Sequence, residues 1–137
     1  MTATRFPHGA DIGVRGEGPT LAAAFAEAAA ALSASVCDLD AIRLETPVAI
    51  ECAAPNDAVL LFDWLNRVIY EMAVRRMLFS RFETTIANHR LRAVAWGERV
   101  DPNRHQPAVE PKGATFTELR VERRPDGSWL AQCVVDV

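Results

Sequence analysis

Two stretches of the chain place apolar residues at the three- and four-residue spacing of an amphipathic helix. Residues 19–36 start with Pro19 and Thr20, and Thr20 is suited to cap the first turn because its hydroxyl can accept a backbone N–H. Residues 55–77 start in a similar way, with Asn56 as the capping side chain. The pattern therefore predicts two helices, each with one face turned toward a core.

The other apolar segments are short and have the composition and alternation of strands. They cover part of residues 5–18, and then residues 48–53, 78–88, 91–98, 114–124 and 128–137. Residues 88–90 and 125–127 are predicted turns. Three prolines prevent regular structure throughout residues 101–111.

These elements follow the order strand, helix, strand, helix and then four strands. Their order predicts an α+β fold in which two helices pack on a largely antiparallel (mixed) β-sheet in two layers. The chain has 137 residues, which is enough for one core, and it contains no repeat or linker. Residues 1–137 are therefore predicted to form a single domain.

The last predicted strand differs from the others because both of its faces are largely apolar, as in a strand covered on each side. Asp136 lies near its end. A carboxylate buried there without a partner would cost several kcal/mol, on the order of the desolvation cost of a charge. Two interpretations remain open: the strand end frays into water, or Asp136 is paired with a cation.

The opening segment, residues 5–18, holds four of the seven glycines and places His8 three residues before Asp11. One interpretation makes residues 7–9 a turn and Asp11 a strand-entry residue. The other makes Asp11 and Asp136 ligands of a hard cation, with backbone oxygens, water or a partner completing the shell. In that case Gly9 and Gly13 would allow the backbone to approach the ion.

Composition and charge narrow the class of protein. A net charge of −3 does not favour binding to nucleic acid or to an anionic membrane. The absence of a long apolar run and of a leader pattern predicts a soluble cytoplasmic protein with no membrane association. Three cysteines without CxxC spacing predict a reducing compartment and buried thiols, not a disulfide framework.

One basic residue is unusual. Of fifteen basic side chains fourteen are arginine, and Lys112 is the only lysine. Because an ammonium group is a compact point charge, unlike a guanidinium, Lys112 is a candidate for a specific chemical role.

Other kinds of site are less well supported by the residues. His8, His89 and His105 do not have the spacing of a zinc motif, and His105 is predicted to shape the proline-rich loop. The glycines do not form a phosphate-binding motif, and no serine stands in a recognisable nucleophile motif.

Four segments of the sequence together resemble the archease family, in order and over essentially the whole chain. They are HGADIGVRGEGPTLAAAFAEAAAAL (residues 8–32), LLFDWLNRVIYE (60–71), GERVDPNRHQPAVEPKGATF (97–116) and VVDV (134–137). The resemblance implies an accessory protein, not an enzyme, that activates an RNA-splicing ligase joining RNA ends with a 3′ or cyclic phosphate. It would promote guanylylation and multiple turnover of that ligase in tRNA splicing and RNA repair.

The resemblance also implies a bound divalent cation, Ca²⁺ first and Mg²⁺ or Mn²⁺ as alternatives. Carried onto this chain, the metal ligands are Asp11 and Asp136, and we add an oxygen of Val137 by hypothesis. Lys112 matches the lysine of the family and is expected to contact phosphate or the partner. His8 is expected to contact the partner or to position the site.

The chain departs from the family pattern at two places. Gly9 stands where threonine is usual, and residues 116–117 are Phe-Thr where the family has Tyr-His. Two other functions remain open. One is a general chaperone or protein-interaction module without ligase dependence. The other is a small metal-dependent hydrolase, which the lack of a second carboxylate cluster disfavours.

Overall fold

The computed structural model describes residues 1–8 and 11–137, with the backbone alone for His8. Its elements, in chain order, are β1 (Thr2–His8), β2 (Asp11–Gly18), α1 (Leu21–Val36), a 3-10 turn (Leu39–Ala41), β3 (Thr46–Ala53), α2 (Asp57–Arg75), β4 (Met77–Ala87), β5 (Arg90–Arg99), α3 (Pro102–His105), β6 (Gly113–Ala114), β7 (Arg120–Arg123) and β8 (Trp129–Asp136).

The strands form two sheets whose described pairings are all antiparallel. One sheet has the order β1-β2-β8-β6, with β7 also paired to β8, and the other has the order β3-β5-β4. The predicted α+β class is confirmed. The alternation patterns did not separate the two sheets, because alternation says which face of a strand is buried and not which strand lies beside it.

Both long helices are confirmed, together with their caps. The Thr20 hydroxyl accepts the Ala23 N–H at 3.0 Å, and the Asn56 side chain accepts the Val59 N–H at 2.9 Å. Helix α2 ends where Arg76 adopts a left-handed conformation with φ 52°. The hydrogen bonds of Thr20 and Asn56 satisfy backbone N–H donors of the first turn, which have no partner within the helix.

The core lies between the helices and the two sheets. Trp64 of α2 is fully buried, and its indole N–H donates to the Phe25 carbonyl oxygen of α1 at 2.9 Å. Gly16 of β2 allows α1 to lie close, because an added Cβ would stand 2.0 Å from the Ala24 carbonyl oxygen. Helix α1 thus packs directly on β2, which is itself paired with β8.

The prediction of one strand over residues 114–124 is wrong, since β6 and β7 are separated by a turn. The Thr115 hydroxyl donates to the Val134 carbonyl oxygen at 2.8 Å, and its oxygen accepts the Thr117 N–H at 3.1 Å. Such side-chain bonds compete with a strand ladder. Glu118 then takes a positive φ of 51°, which turns the chain.

The opening segment also differs from its structural interpretation. Pro7 and His8 belong to β1 and not to a turn, while Gly9 lies outside the described residues. By contrast, the other two predicted turns are confirmed. Asn88 and His89 both have positive φ in the β4–β5 hairpin, and Gly127 has a φ of 90° before β8.

Candidate functional site

One end of the five-stranded sheet gathers the candidate residues from both ends of the chain. His8 at the end of β1 pairs with Asp11 at the start of β2. Ile12 pairs with Val135 of β8, so the next position outward sets Asp11 beside Asp136. Opposed residues of antiparallel strands project to the same face, with Cα atoms about 4.5–5.5 Å apart. The backbone positions of Asp11 and Asp136 therefore directly follow the last pair of this ladder, Ile12 with Val135.

The row formed by His8, Asp11 and Asp136 on neighbouring strands continues into β6, which lies on the other side of β8. Gly113 pairs with Asp136, and the Lys112 N–H donates to the Asp136 carbonyl oxygen at 2.8 Å. The only lysine of the chain is thus fixed by its backbone beside one of the two aspartates. Its side chain is exposed, so its ammonium group faces solvent at this edge.

Burial differs along the row. Residues 130–135 of β8 are buried on both faces, as the apolar pattern predicted, but Asp136 is exposed. Asp11 and Val137 are partly buried. Burial therefore does not force Asp136 to take a cation, contrary to one of the two interpretations of the sequence, because its carboxylate is accessible to water. Any ion held here would be held by neighbouring oxygens and not demanded by desolvation.

The donor set at this edge fits a hard cation. A Ca²⁺ ion bonds oxygen at about 2.4 Å, so two carboxylates on adjacent strands can share one ion. Within residues 1–8 and 11–137, however, no group of three His, Cys, Asp or Glu side chains is close enough to form a metal site. Asp11 and Asp136 would thus supply two ligands, and Val137, water or a partner would supply the rest. The side chain of His8 lies outside the described residues.

The outer face beside Asp11 is built from aromatic and polar groups. Gly13 makes room for the Phe6 ring, since an added Cβ would lie 2.3 Å from ring atoms. The Arg15 guanidinium lies 5.1 Å from the centre of that ring, and its Nε donates to Gln132 at 2.9 Å. Gly13 therefore serves packing in β1 and β2, where the sequence suggested space for an ion.

The segment after Lys112 is held against α2. The Ala114 N–H donates to the Asn66 side chain at 2.9 Å. Phe116 stacks on Phe62 with ring centres 4.4 Å apart, although Phe116 is 66% exposed. These contacts hold β6 and the residues after it, which directly follow Lys112, against α2.

A buried polar network at the other end of the same loop escaped the sequence analysis. Glu98 is 4% exposed and forms an ion pair with Arg104, while its Oε2 accepts the Arg43 N–H at 2.7 Å and lies 3.0 Å from His105 Nε2. The Asp101 N–H donates to His105 Nδ1 at 2.8 Å. His105 therefore carries its proton on Nε2 and donates it to Glu98.

This network fixes the charge of Glu98. The hydrogen bond from Arg104 is the main cause that lowers the pKa of Glu98 to about 2, with burial opposing it and Arg43 and His105 adding to it. His105 thus shapes the proline-rich loop, as predicted. The signal in the sequence was a carboxylate at a strand end followed by Arg-His six and seven residues later.

The remaining candidate residues are His89, which contacts a carboxylate, and the three cysteines. His89 Nδ1 lies 2.9 Å from Asp57, at the opposite end of β5 from the loop that holds His105, so these two histidines do not share a zinc site. Burial raises the pKa of the Cys133 thiol to about 12 and that of Cys52 to about 11. Cys37 and Cys133 are buried, as predicted, whereas Cys52 is only partly buried.

The geometry defines a small α+β protein with an exposed aspartate, a partly buried aspartate and an exposed lysine at one sheet end. Residues 4–137 match the Archease protein family (MTH1598/TM1083). Protein archease of Pyrococcus furiosus is 35% identical over 136 residues, 96% of each chain, and that of Methanopyrus kandleri is 38% identical over 134 residues, 95% of each chain. The chain belongs to the archease family.

Solved structures give the same fold. The solution structure of protein 1598 of Methanobacterium thermoautotrophicum has a TM-score of 0.86 at 25% identity and covers 98% of both chains. The crystal structure of an archease and possible chaperone from Thermotoga maritima has a TM-score of 0.64 at 20% identity, again over 98% of both chains. Across the part of the chain that the structure describes, no helix is both long and apolar enough to cross a bilayer.

Proposed function

We propose that this protein activates an RNA-splicing ligase in the cytoplasm by promoting its guanylylation and multiple turnover during tRNA splicing and RNA repair. In this role it is an accessory protein and not an enzyme. Membership of the archease family supports the proposal. The observation that carries it is the strand register that makes Asp11, Asp136 and the Lys112 backbone neighbours although they come from opposite ends of the chain.

The chemistry follows from the exposed and partly buried side chains of this edge. Asp11 and Asp136, with an oxygen of Val137, would hold a divalent cation, Ca²⁺ first and Mg²⁺ or Mn²⁺ as alternatives. When bound, that cation supplies positive charge that attracts phosphate or carboxylate oxygens. Lys112 adds an ammonium group that can pair with the same class of oxygen. His8, at the end of β1, would contact the partner or position the site.

The partner in this proposal is the ligase protein and not RNA. The net charge of −3 does not supply the basic face that direct RNA binding requires. The site is exposed at a sheet end, so a second protein can reach it without any opening of the fold.

The test is a guanylylation assay with the purified ligase of the same organism and GTP, with and without this protein and Ca²⁺. We expect wild-type protein to raise the rate, and Asp136→Asn and Lys112→Ala to lose most of that increase. Glu122→Gln, which changes an exposed carboxylate on β7 of the same sheet, is the matched control. If both site variants stimulated the ligase like Glu122→Gln, the proposed mechanism would be wrong.

A second candidate function is that of a general chaperone or interaction module without ligase dependence. The observation in its favour is apolar exposure, since Tyr70, Val74 and Phe116 are 53%, 62% and 66% exposed. A light-scattering assay with an unrelated aggregating protein separates the two functions. Suppression of aggregation without an effect on ligase guanylylation would favour the chaperone.

A further inference from the structure

A half-open apolar groove lies beside the proposed site and is not used by it. It has a volume of about 550 Å³ and lies between the end of α2, the start of β4, the end of β5 and the proline-rich loop. Its apolar lining includes Ile69, Met72, Met77, Val109, Pro107 and Pro111. This size lies within the range of about 300–1,000 Å³ that is typical of binding pockets.

Two arginines without partners stand at the groove. Arg76 and Arg99 both line it and are exposed, and neither side chain forms an ion pair or hydrogen bond within residues 1–8 and 11–137. The pairing of Met77 with Arg99 keeps the two arginines near each other. Glu110 is the one carboxylate among the lining residues, so positive charge is in excess here although the whole chain is acidic.

Strong backbone contacts fix the position of Arg76. Its N–H donates to the Met72 carbonyl oxygen at the end of α2, and its own carbonyl oxygen accepts the Val100 N–H at 2.9 Å. The guanidinium therefore extends from a rigid corner while remaining free itself. Charged groups that the fold places but does not pair are available to a partner of opposite charge.

Apolar exposure continues beyond the groove along α2. Val74, which follows the groove residue Ala73, is 62% exposed, and Tyr70 is 53% exposed. An apolar surface that extends past the cavity is larger than a small ligand needs and suits a segment of another protein.

The groove is also connected to the proposed site through the chain itself. Pro111 forms part of its wall, and the next residue is Lys112, whose N–H is bonded to Asp136. A segment bound in the groove would thus lie within a few residues of Lys112, and therefore close to the site proposed to hold a cation and to contact phosphate. A partner bound at the site is therefore within reach of the groove.

We propose that this groove docks a segment of the ligase in which an apolar side chain is flanked by Asp or Glu residues. The inference rests on the proposed function, because it names the surface through which the ligase is held. The apolar side chain enters among Ile69, Met72 and Val109, and the flanking carboxylates pair with Arg76 and Arg99.

The first test separates docking from activation. Ala73→Trp fills the mouth of the groove from an exposed helix position, and Arg99→Glu reverses one of its charges without removing any hydrogen bond of that side chain. We expect each to raise the Kd for the ligase roughly tenfold while the maximal guanylylation rate at saturation stays unchanged. The site variant Asp136→Asn should do the opposite, with a lower maximum.

Matched controls come from elsewhere on the same protein. Arg90→Glu reverses an exposed charge at the other end of β5, and Ala87→Trp adds the same bulk at an exposed position at the end of β4. Both should bind like wild type. If wild type stimulates the ligase but Ala73→Trp and Arg99→Glu match these controls in Kd, the docking inference is overturned and the proposed function stands. If wild type neither binds nor stimulates the ligase, both are overturned.

A second test identifies the occupant. Ala73→Cys can be labelled with a benzophenone maleimide, because Cys37 and Cys133 are buried and burial raises the pKa of Cys52 to about 11. Photo-crosslinking to the purified ligase and mass spectrometry should locate one ligase segment with an apolar residue next to Asp or Glu. A crosslink to a basic segment, or only to a second copy of this chain, would contradict the proposal.

Discussion

The two ends of the proline-rich loop are built on opposite principles. At the start, Glu98, Arg104 and His105 form a polar network in which Glu98 and His105 are buried and bonded within the chain. At the end, the Lys112 N–H donates to the Asp136 carbonyl oxygen, and within residues 1–8 and 11–137 the exposed Lys112 side chain forms no ion pair or hydrogen bond. Buried polar groups must find partners inside the fold. Exposed groups held in register by strands remain accessible to a partner from outside, and the proposed function uses this second end.

The largest expected effect tests the buried end. Glu98→Ala removes the acceptor for Arg104, His105 and the Arg43 N–H, so we expect the free energy of unfolding to fall by about 3 kcal/mol. Urea denaturation followed by circular dichroism measures this loss. Glu122→Ala, at an exposed carboxylate, should change stability by no more than about 0.5 kcal/mol. Equal stabilities of the two variants would remove the distinction between the two ends.

Acid should weaken the buried end in a defined direction. Because the pKa of Glu98 falls from 4.5 to about 2 on folding, its carboxylate stabilises the fold above pH 4.5, and this contribution is lost as the pH falls from 4.5 toward 2. Urea midpoints measured through this range should therefore fall more steeply for wild type than for Glu98→Gln. Parallel profiles would show that Glu98 does not have this depressed pKa.

Phe116 is intermediate between the buried Glu98 network and the exposed Lys112 side chain, since it is largely exposed but stacks on Phe62. Phe116→Ala removes the stacking contact with Phe62, so we expect a loss of about 1 kcal/mol in the free energy of unfolding. The same urea titration measures it. Phe116→Tyr preserves the stacked ring and should remain close to wild type, and a Tyr variant as unstable as the Ala variant would show that stacking is not the cause.

The smallest effect on stability is expected at the exposed end, beside Lys112 and Asp136. Asp136→Asn and Lys112→Ala change exposed side chains, so their free energies of unfolding should stay within about 0.5 kcal/mol of wild type. Thermal and urea unfolding check this. A loss of ligase stimulation at unchanged stability would separate function from folding, whereas a large loss of stability would make these residues part of the structure.

The sequence predicted what depends on local order. Thr20 and Asn56 begin the two helices because caps and apolar spacing act within a few residues. The break near Thr115 was missed because its hydroxyl bonds to Val134 on another strand. Strand partners and sheet number depend on contacts far apart along the chain, and alternation alone does not specify them.

The same distinction explains the candidate site. Asp11, Asp136 and Lys112 could each be singled out by residue type and context. The residues alone suggested that the two aspartates share a cation, and the resemblance to archeases added Lys112. Their adjacency comes from the pairing of β2 and β6 with β8, which spans almost the whole chain. The Glu98 network was missed because one of its hydrogen bonds comes from the backbone N–H of Arg43, which lies 55 residues earlier in the chain. A contact of this range leaves no local pattern in the sequence.

The most direct test of the central claim is the rate of ligase guanylylation across a Ca²⁺ titration, compared between wild type and Asp11→Asn/Asp136→Asn. The account predicts that Ca²⁺ raises the rate with wild type, and that the double variant, folded and of near wild-type stability, gives the rate of the ligase alone at every Ca²⁺ concentration. A double variant that stimulated the ligase as wild type does would contradict the claim that these two neighbouring aspartates carry the activity.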